Sequence, residues 1–255
     1  MRNARIADHD ETDRAIVAIG TDYPPVHLLP AHQHRRAQLL YGVTGVMQVL
    51  TPVGQWVVPP QQAVWLPSGM VHEVRMQGVS TRSLYVAPEA VVAPWFQHCR
   101  VLAVSPLLRQ LLVEAVDLPR LYDEAGRDGA LMALLLLELA QMPTLPLHLP
   151  LPATQGLLLR WCQAFAQAPS VAVGPEQAAA ALHVSVRTLG RLFHTELGLS
   201  FAHWRERACV VAALARLAEG VAVTRIAMDL GYGSSAAFTT MFKRVVGQVP
   251  SAWRG

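Results

Sequence analysis

Residues 223–253 constrain the fold more than any other stretch, because they hold two short amphipathic segments separated by a glycine turn. Gly231 follows the first segment and supplies a residue that can leave a helix with positive φ. Ser234 or Ser235 can cap the second segment, and Gly247 ends it. The apolar stripe of this second segment recurs at intervals of three, four and seven residues: Phe238, Met241, Phe242 and Val245. The pattern predicts a helix, a tight turn and a second helix.

The opposite face of the second helix carries short polar side chains and ends in cations, which suits entry into the major groove of DNA. The residues on or beside this face are Ser235, Ala236, Thr239, Thr240, Lys243 and Arg244. Two amphipathic helices around a glycine also occur in helical proteins that bind no DNA. This segment alone therefore leaves both interpretations open.

Residues 176–197 repeat the same plan upstream. Ser185 is placed to cap a second helix, with Leu189, Leu192 and Phe193 pointing inward and Arg187, Thr188 and Arg191 pointing outward. Residues 201–219 are long enough and apolar enough to form one connecting helix between the two units. The C-terminal part is predicted to be an all-α domain of two helix-turn-helix units joined by a long helix.

The combined pattern resembles the AraC/XylS-type bacterial transcription regulators over roughly the last hundred residues. The first unit contributes S-x-x-x-L-x-R-x-F at residues 185–193, followed by G-L-S-F. The second contributes I-A, L-G-Y, A-F, M-F-K-R and G-x-x-P within residues 226–250. Thr240 departs from the family pattern, since many members carry an arginine there, and Gly190 lies inside the first recognition helix.

The resemblance implies a sequence-specific regulator that binds double-stranded promoter DNA as a homodimer and contacts RNA polymerase if it activates. Two recognition helices about 34 Å apart can enter successive major grooves. Arginine can bond two acceptors of guanine, whereas Lys243 and Arg244 suit phosphates. The predicted DNA-binding residues are Ser185, Arg187, Thr188, Arg191, Ser235, Thr239, Thr240, Lys243 and Arg244.

Charge is distributed unevenly along the chain. From Ala153 onward there are ten Lys/Arg against five Asp/Glu, a balance of +5, whereas the preceding part has eleven against thirteen, or −2. A basic C-terminal module beside a slightly acidic one suits a nucleic-acid binder with a separate sensor domain.

Cysteine usage and hydropathy indicate the compartment. Cys99, Cys162 and Cys209 are widely spaced, which predicts neither a disulfide framework nor a zinc ribbon. No secretory signal is visible, and the longest apolar run, residues 130–137, is far shorter than the roughly 20 residues that cross a bilayer. We expect a cytoplasmic protein with no membrane partner.

Residues 15–88 have the alternating pattern of strands. Residues 1–14 are charged and lack periodicity, which predicts a mobile arm or an unstructured end. Short β-branched and aromatic runs are separated by Gly, Pro and Ser turns, as in a small barrel or jelly roll. The predicted strands cover residues 15–19, 38–41, 46–50, 55–58, 63–66 and 82–86.

Two motifs in this region resemble the signatures of the cupin barrel: His32, His34 and Gln38, and later P-x-G-x-x-H ending at His72. In metal-binding cupins the ligands are two histidines, a glutamate and a later histidine. Here a neutral amide replaces the glutamate and adds no charge to offset dehydration of the ion. We therefore expect a small-molecule pocket without metal or cofactor, lined by His32, His34, Gln38, Trp65 and His72. The alternative is a divalent metal on the three histidines. Strand alternation predicts that Tyr41 faces away from Gln38.

Residues 93–141 are predicted to form helices, including 106–116 and 129–141, that flank the barrel. Their leucine-rich stripes can pack on the barrel or dimerise through residues 107–112.

Prolines in residues 143–153 predict an extended linker between two domains. The first is an effector-binding and dimerisation domain (1–142), and the second is a DNA-binding domain (154–255), which opens with a helix at 154–168. Leu157, Leu158, Trp161 and Phe165 are predicted to point inward in that helix. The predicted fold class is α+β.

Three functions fit these patterns. We favour a transcription regulator that is controlled by a small molecule and is not an enzyme. One alternative is a metal-dependent cupin enzyme fused to a DNA-binding tail. The other is a ligand-independent DNA binder whose barrel is a dimerisation scaffold.

Overall fold

The computed structural model describes residues 1–90 and 94–253, which form two compact units. The strand-rich unit contains Met1–Val49 and Val58–Leu145. The helical unit contains Leu50–Val57 and the chain from Pro146 onward. A strand-rich unit followed by a helical one confirms the predicted α+β class.

The strands are, in chain order, β1 (Ile16–Asp22), β2 (Val26–His32), β3 (Ala37–Thr51), β4 (Gly54–Val58), β5 (Gln62–Leu66), β6 (His72–Val86), β7 (Arg100–Ala103), β8 (Thr144–Leu145) and β9 (His148–Pro150). In the strand-rich unit β1, β6, β3, β5, β7 and β8 lie side by side in that order, and β2 pairs with β6. β1 pairs antiparallel with β6, with Ile16 opposite Val86, and β3 pairs antiparallel with β5, with Leu39 opposite Trp65.

The strand prediction was incomplete. The segments predicted at 38–41 and 46–50 belong to one strand, β3, and residues 82–86 are only the end of β6. The helical prediction for residues 93–141 was wrong at β7, because Val101 lies opposite Val64 of β5 and the segment is held by sheet pairing. The predicted start at residue 93 lies outside the described residues.

Two helices cover one face of this sheet: α1 (Pro106–Ala115) and α2 (Arg127–Gln141). Ser105 caps α1, since its hydroxyl accepts the N–H of Leu108 at 3.0 Å. Leu108 and Leu112 are buried in the same core as sheet residues Leu39, Tyr41 and Trp65, and α2 adds Leu135 and Leu139. The core-packing interpretation therefore holds for the inner face of α1, while Leu107 is 49% exposed.

Residues 10–14 are not the mobile arm that the sequence predicted. The buried guanidinium of Arg36, 1% exposed, donates to the backbone carbonyls of Asp10 at 2.9 Å, Thr12 at 2.5 Å and Arg14 at 2.9 Å. The Asp10 carboxylate accepts the N–H of Arg35 at 3.0 Å. The buried cation of Arg36, more than twenty residues later in the sequence, thus holds residues 10–14 in place.

The start of the chain is also anchored. The backbone N–H of Asn3 donates to the carbonyl of Gly20 on β1 at 2.7 Å. The guanidinium of Arg2 pairs with the carboxylate of Asp117, just after α1, at 2.8 Å. These contacts involve polar and backbone groups, so apolar periodicity gave no sign of them.

The helices of the second unit are α3 (Leu157–Gln167), α4 (Pro175–Ala181), α5 (Val186–Leu197), α6 (Phe201–Ala218), α7 (Val223–Asp229) and α8 (Ser235–Val246). This order confirms the two predicted helix pairs and the long connecting helix. An aromatic cluster joins α3, α5 and α6 and consists of Trp161, Phe165, Phe193, Phe201 and Trp204. Leu157, predicted to point inward, is instead 44% exposed, because the buried stripe of α3 starts at Leu159.

Residues 146–151 are extended and belong to the helical unit. β9 pairs with β4, and the indole N–H of Trp204 on α6 donates to the carbonyl of Pro150 at 2.8 Å.

Cys162 and Cys209 are buried in the helical unit, and desolvation raises the pKa of each thiol to about 12. None of the helices that the structure describes has both the length and the apolar character needed to cross a membrane.

Candidate nucleic-acid interface and effector site

The first candidate recognition helix is α5, which follows α4 after a short turn. The hydroxyl of Ser185 caps it by accepting the N–H of Thr188 at 3.2 Å, as predicted. The two hydroxyls also lie 2.9 Å apart. Ser185 therefore fixes where the helix begins, and the side chain of Thr188 is held against the cap.

The outward face of α5 carries free cations. Arg187 and Arg191 are one helical turn apart and exposed. Within residues 1–90 and 94–253, neither guanidinium makes a side-chain hydrogen bond or an ion pair. His194 and Thr195 continue the same face and are exposed. The sequence analysis missed these two, although their spacing from Arg191 places them on its face.

The second candidate recognition helix is α8, which Ser234 caps by accepting the N–H of Ala237 at 3.1 Å. Thr240 and Lys243 are exposed, and Ser235 and Thr239 are partly exposed. The buried stripe of the helix is formed by Phe238, Met241, Phe242 and Val246. The polar residues predicted to face DNA thus lie opposite the core.

One predicted contact on α8 already has a protein partner. Arg244 donates to the carboxylate of Glu206 on α6 at 2.6 Å. The Arg244 side chain is 53% exposed, so this pair lies at the surface. The pair holds the end of α8 on the connecting helix. Lys243 has no such partner in the described part of the chain.

The strand-rich unit contains a cluster of His32, His34 and His72, in which one ring nitrogen of each lies within 4.8 Å of the others. The rings come from β2, from the turn after it and from the first residue of β6. Each Nδ1 lies beside a backbone carbonyl two residues away: His32 with Pro30 at 2.8 Å, His34 with Arg36 at 2.5 Å and His72 with Met70 at 2.8 Å.

Burial disfavours the charged form of two of these imidazoles, those of His34 and His72. Desolvation lowers the pKa of His34, and it lowers the pKa of His72 to about 4. A carbonyl oxygen only accepts, so the proton of a neutral ring lies on Nδ1 and the lone pair lies on Nε2. His32 is half-buried and gives the cluster access to solvent.

Gln38 lies beside the histidines, as predicted. Its Oε1 is 3.2 Å from Nε2 of His34, and its amide nitrogen donates to Ser83 Oγ at 3.2 Å and Tyr85 Oη at 3.0 Å. The sequence analysis did not identify Ser83 and Tyr85, which the register of β6 brings to this face.

Trp65 does not join this cluster. It lies opposite Leu39 in the register of β3 and β5, and its indole N–H donates to the carbonyl of Phe96 at 2.8 Å. Neighbouring strand residues point to opposite faces, so Trp65 belongs to the face that α1 and α2 cover. Tyr41 shares that face, as the alternation predicted.

Comparisons with known proteins agree with the division of the chain into a strand-rich unit and a helical unit. A family model described as an AraC-like ligand binding domain matches residues 15–138, and a helix-turn-helix domain model matches residues 178–255. The chain is 34% identical over 225 residues to the HTH-type transcriptional regulator NimR of Escherichia coli (strain K12), covering 88% of this chain and 81% of that protein.

Two further matches cover less of the chain. The HTH-type transcriptional regulator RipA of Corynebacterium glutamicum is 32% identical over 115 residues, which is 44% of this chain and 33% of RipA. The C-terminal domain of AraT, a response regulator from Geobacillus stearothermophilus, is 27% identical with a TM-score of 0.36 and covers 39% of this chain and 84% of that one.

A ligand-binding unit followed by two helix-turn-helix pairs defines a DNA-binding transcription regulator with a sensor domain. The chain belongs to the AraC family of these regulators.

Proposed function

We propose that α5 and α8 enter successive major grooves of one promoter site. The observation that carries this proposal is the outward face of α5, where two exposed arginines have no partner in the described protein. Arg187 and Arg191 are positioned to bond guanine edges, a contact worth about 1–3 kcal/mol of discrimination. Thr188 and the cap at Ser185 lie where the helix N-terminus meets the backbone of DNA.

On α8 the proposed contacts differ in kind. Ser235, Thr239 and Thr240 are short and suit close approach to base edges or sugar. Lys243 supplies a charge for phosphate. We assign Arg244 a weaker phosphate contact, because binding DNA competes with its pair to Glu206. Base discrimination by α8 is therefore expected to be lower than by α5.

The effector is proposed to bind at His32, His34, Gln38 and His72 of the strand-rich unit. This cluster supplies polar groups, of which His32 and His34 are partly accessible to solvent. We infer that the chain acts as a homodimer and by binding rather than by catalysis, and that it contacts RNA polymerase at promoters it activates. Trp65 is not part of the proposed effector site, because its side chain lies on the face of the sheet that α1 and α2 cover.

The test is selection of fragmented chromosomal DNA from the source organism by the purified full chain, at physiological salt, followed by footprinting of the strongest site. We expect protection of two adjacent major grooves whose centres are about one helical turn apart. Sedimentation of the free and DNA-bound chain gives the number of copies on the site.

The control is the double variant Arg187→Ala, Arg191→Ala, which is expected to keep its fold and lose the footprint nearest α5. Binding of the parent that is weak, strongly salt-dependent and independent of sequence would contradict the groove assignment, because it would reflect phosphate contacts alone.

A further inference from the structure

The outward face of α5 holds two neighbouring rows of residues. One row contains the cations Arg187 and Arg191, which the proposed function assigns to guanine. The row beside it contains Val186, Gly190 and His194, each about one helical turn from the next. Val186 is 43% exposed, and Gly190 and His194 are exposed as well. A small apolar surface therefore lies beside the cations that are expected to face DNA.

The lack of a side chain at Gly190 is not explained by the folded chain. Gly190 does not have the positive φ that favours glycine. Its own helix backbone aside, an added Cβ would meet no atom within 4 Å in the described part of the chain. Glycine inside a helix also lowers stability relative to alanine. The missing side chain thus leaves room for a group that approaches α5 from outside the chain.

Gly190 also leaves Val186 uncovered. The Cα–Cβ bonds of a helix tilt toward its N-terminus, so a side chain at residue 190 would extend toward the preceding turn, which carries Val186. With glycine at this position, the valine side chain lies beside an open space above the Gly190 backbone. This space has the depth of a methyl group, because it is the space that an added Cβ would fill.

The chemistry of the DNA major groove identifies the group that fits. The base edges there are polar except for the 5-methyl group of thymine, which proteins recognise by apolar contact. We propose that Val186 and Gly190 recognise a thymine, whose 5-methyl group packs against the valine side chain and the glycine backbone. This thymine lies beside the guanine edges assigned to the two arginines. The inference rests on the proposed function, because it requires α5 to lie in a major groove.

The experiment compares thymine with uracil in the site footprinted by the full chain. Uracil lacks only the 5-methyl group, so each thymine under α5 is replaced in turn and the affinity is measured by fluorescence anisotropy. We expect one replacement to weaken binding by the parent roughly fourfold, the worth of burying one methyl group. Thymines in the half of the site under α8 are the internal control, because variants of α5 should not alter their response.

Val186→Ala links the methyl group of the base to the valine. This variant is expected to bind the thymine site more weakly than the parent and to lose most of the distinction between thymine and uracil, since the two partners act as a pair. Val53→Ala, at a valine 46% exposed in the turn between β3 and β4, is the matched control and should keep the preference of the parent. An undiminished preference in Val186→Ala would overturn the role of the valine.

Gly190→Ala gives a sharper test, because it places a methyl group of the protein in the space assigned to the methyl group of the base. The variant is expected to fold and yet to bind the thymine site on the order of tenfold more weakly. It should bind the uracil site at least as well as the thymine site, since removal of the base methyl group relieves the overlap. A Gly190→Ala variant that keeps the preference of the parent for thymine would overturn the inference.

Failure of this inference can be distinguished from failure of the proposed function. If no thymine under α5 depends on its methyl group, while the double variant Arg187→Ala, Arg191→Ala still loses the footprint there, only the thymine contact is overturned. If the double variant keeps that footprint, α5 does not lie in the groove, and both the proposed function and the thymine contact are overturned.

Discussion

The backbone N–H of Val171 donates to the carbonyl of Leu230 at 2.9 Å. This bond attaches the loop between α3 and α4 to the end of α7. The guanidinium of Arg205 on α6 holds the same loop through the carbonyl of Val173 at 2.6 Å. The two helix-turn-helix pairs are therefore joined by the connecting helix and also by this loop, which limits any change in the spacing of α5 and α8.

Gly231 lies at this junction and is predicted to be intolerant of a side chain. Its φ is +80°, and an added Cβ would lie 2.6 Å from the hydroxyl oxygen of Ser170. Gly231→Ala is expected to lower the free energy of unfolding by about 1–2 kcal/mol for the left-handed backbone, with a further cost from the clash. The measurement is urea unfolding followed by circular dichroism.

Gly190 is the matched control, because it is a glycine inside α5 with no atom within 4 Å of an added Cβ. Gly190→Ala is expected to raise the free energy of unfolding by about 0.5–1 kcal/mol, since alanine is the better helix former. Equal effects of the two substitutions would contradict the tight turn at Gly231.

Arg191→Ala is expected to weaken binding to the footprinted site by about 1–3 kcal/mol and to leave the circular dichroism spectrum unchanged. Arg191→Lys should recover little of the loss if the arginine bonds two acceptors of guanine, because lysine lacks the planar fork. Fluorescence anisotropy against the specific site and a scrambled site gives both affinities.

The control for charge is Arg120→Ala, an exposed cation of the strand-rich unit. If Arg191→Ala weakens binding equally to both DNA sequences and only lowers the salt dependence, then Arg191 contacts phosphate and the base assignment is wrong.

Arg36→Met is expected to release residues 10–14 from the sheet. The substitution removes the donor for four backbone carbonyls, those of Asp10, Thr12, Arg14 and Ala15, and leaves the Asp10 carboxylate without the cation beside it. A carbonyl taken out of solvent and left without its donor costs about 1–3 kcal/mol. Hydrogen exchange of residues 10–14 reports the release directly.

Arg5→Met is the comparison, because Arg5 is exposed and its guanidinium pairs, among the residues that the structure describes, with Asp8 alone. It should leave the exchange of residues 10–14 as in the parent. Unchanged protection in Arg36→Met would show that the anchoring of this segment does not depend on the guanidinium.

Stability is predicted to fall in mild acid because of His72. Burial lowers its pKa in the folded chain to about 4 from 6.5. As the pH falls below 6.5, the unfolded chain takes up a proton that the folded chain does not, so folded stability is lost down to about pH 4. The loss is limited to roughly 3 kcal/mol.

The measurement is the free energy of unfolding against pH in the presence of a chelator. His72→Gln should flatten this dependence between those limits, whereas His98→Gln should not. Identical pH profiles of the parent and His72→Gln would remove His72 as the cause.

The helical unit could be predicted closely from sequence because its signals are local. Ser185 and Ser234 cap helices within three residues of their own position, and Gly231 and Gly247 take the positive φ that ends a helix. Each of these features needs only the neighbouring residues to be recognised.

The strand-rich unit depends on contacts between distant residues, which a local pattern does not contain. Gly45 lies inside β3 with a φ of +68°, and the backbone carbonyl of Gln77 comes so close that no Cβ would fit. Gln38 and His72 were identified by motif. That Trp65 lies outside the histidine cluster, and that Ser83 and Tyr85 lie beside Gln38, follows only from how β3, β5 and β6 are placed in the sheet.

The ion pair of Arg2 and Asp117 has a consequence for how the chain is made. The two residues are separated by 115 positions, so this ion pair cannot form until α1 has left the ribosome. At about 5–20 residues per second this delay is roughly 6–23 s. During that time β6, the sheet partner of β1, is already present, but Ile16 and Ala18 of β1 stay without α1, whose buried side chains complete their core.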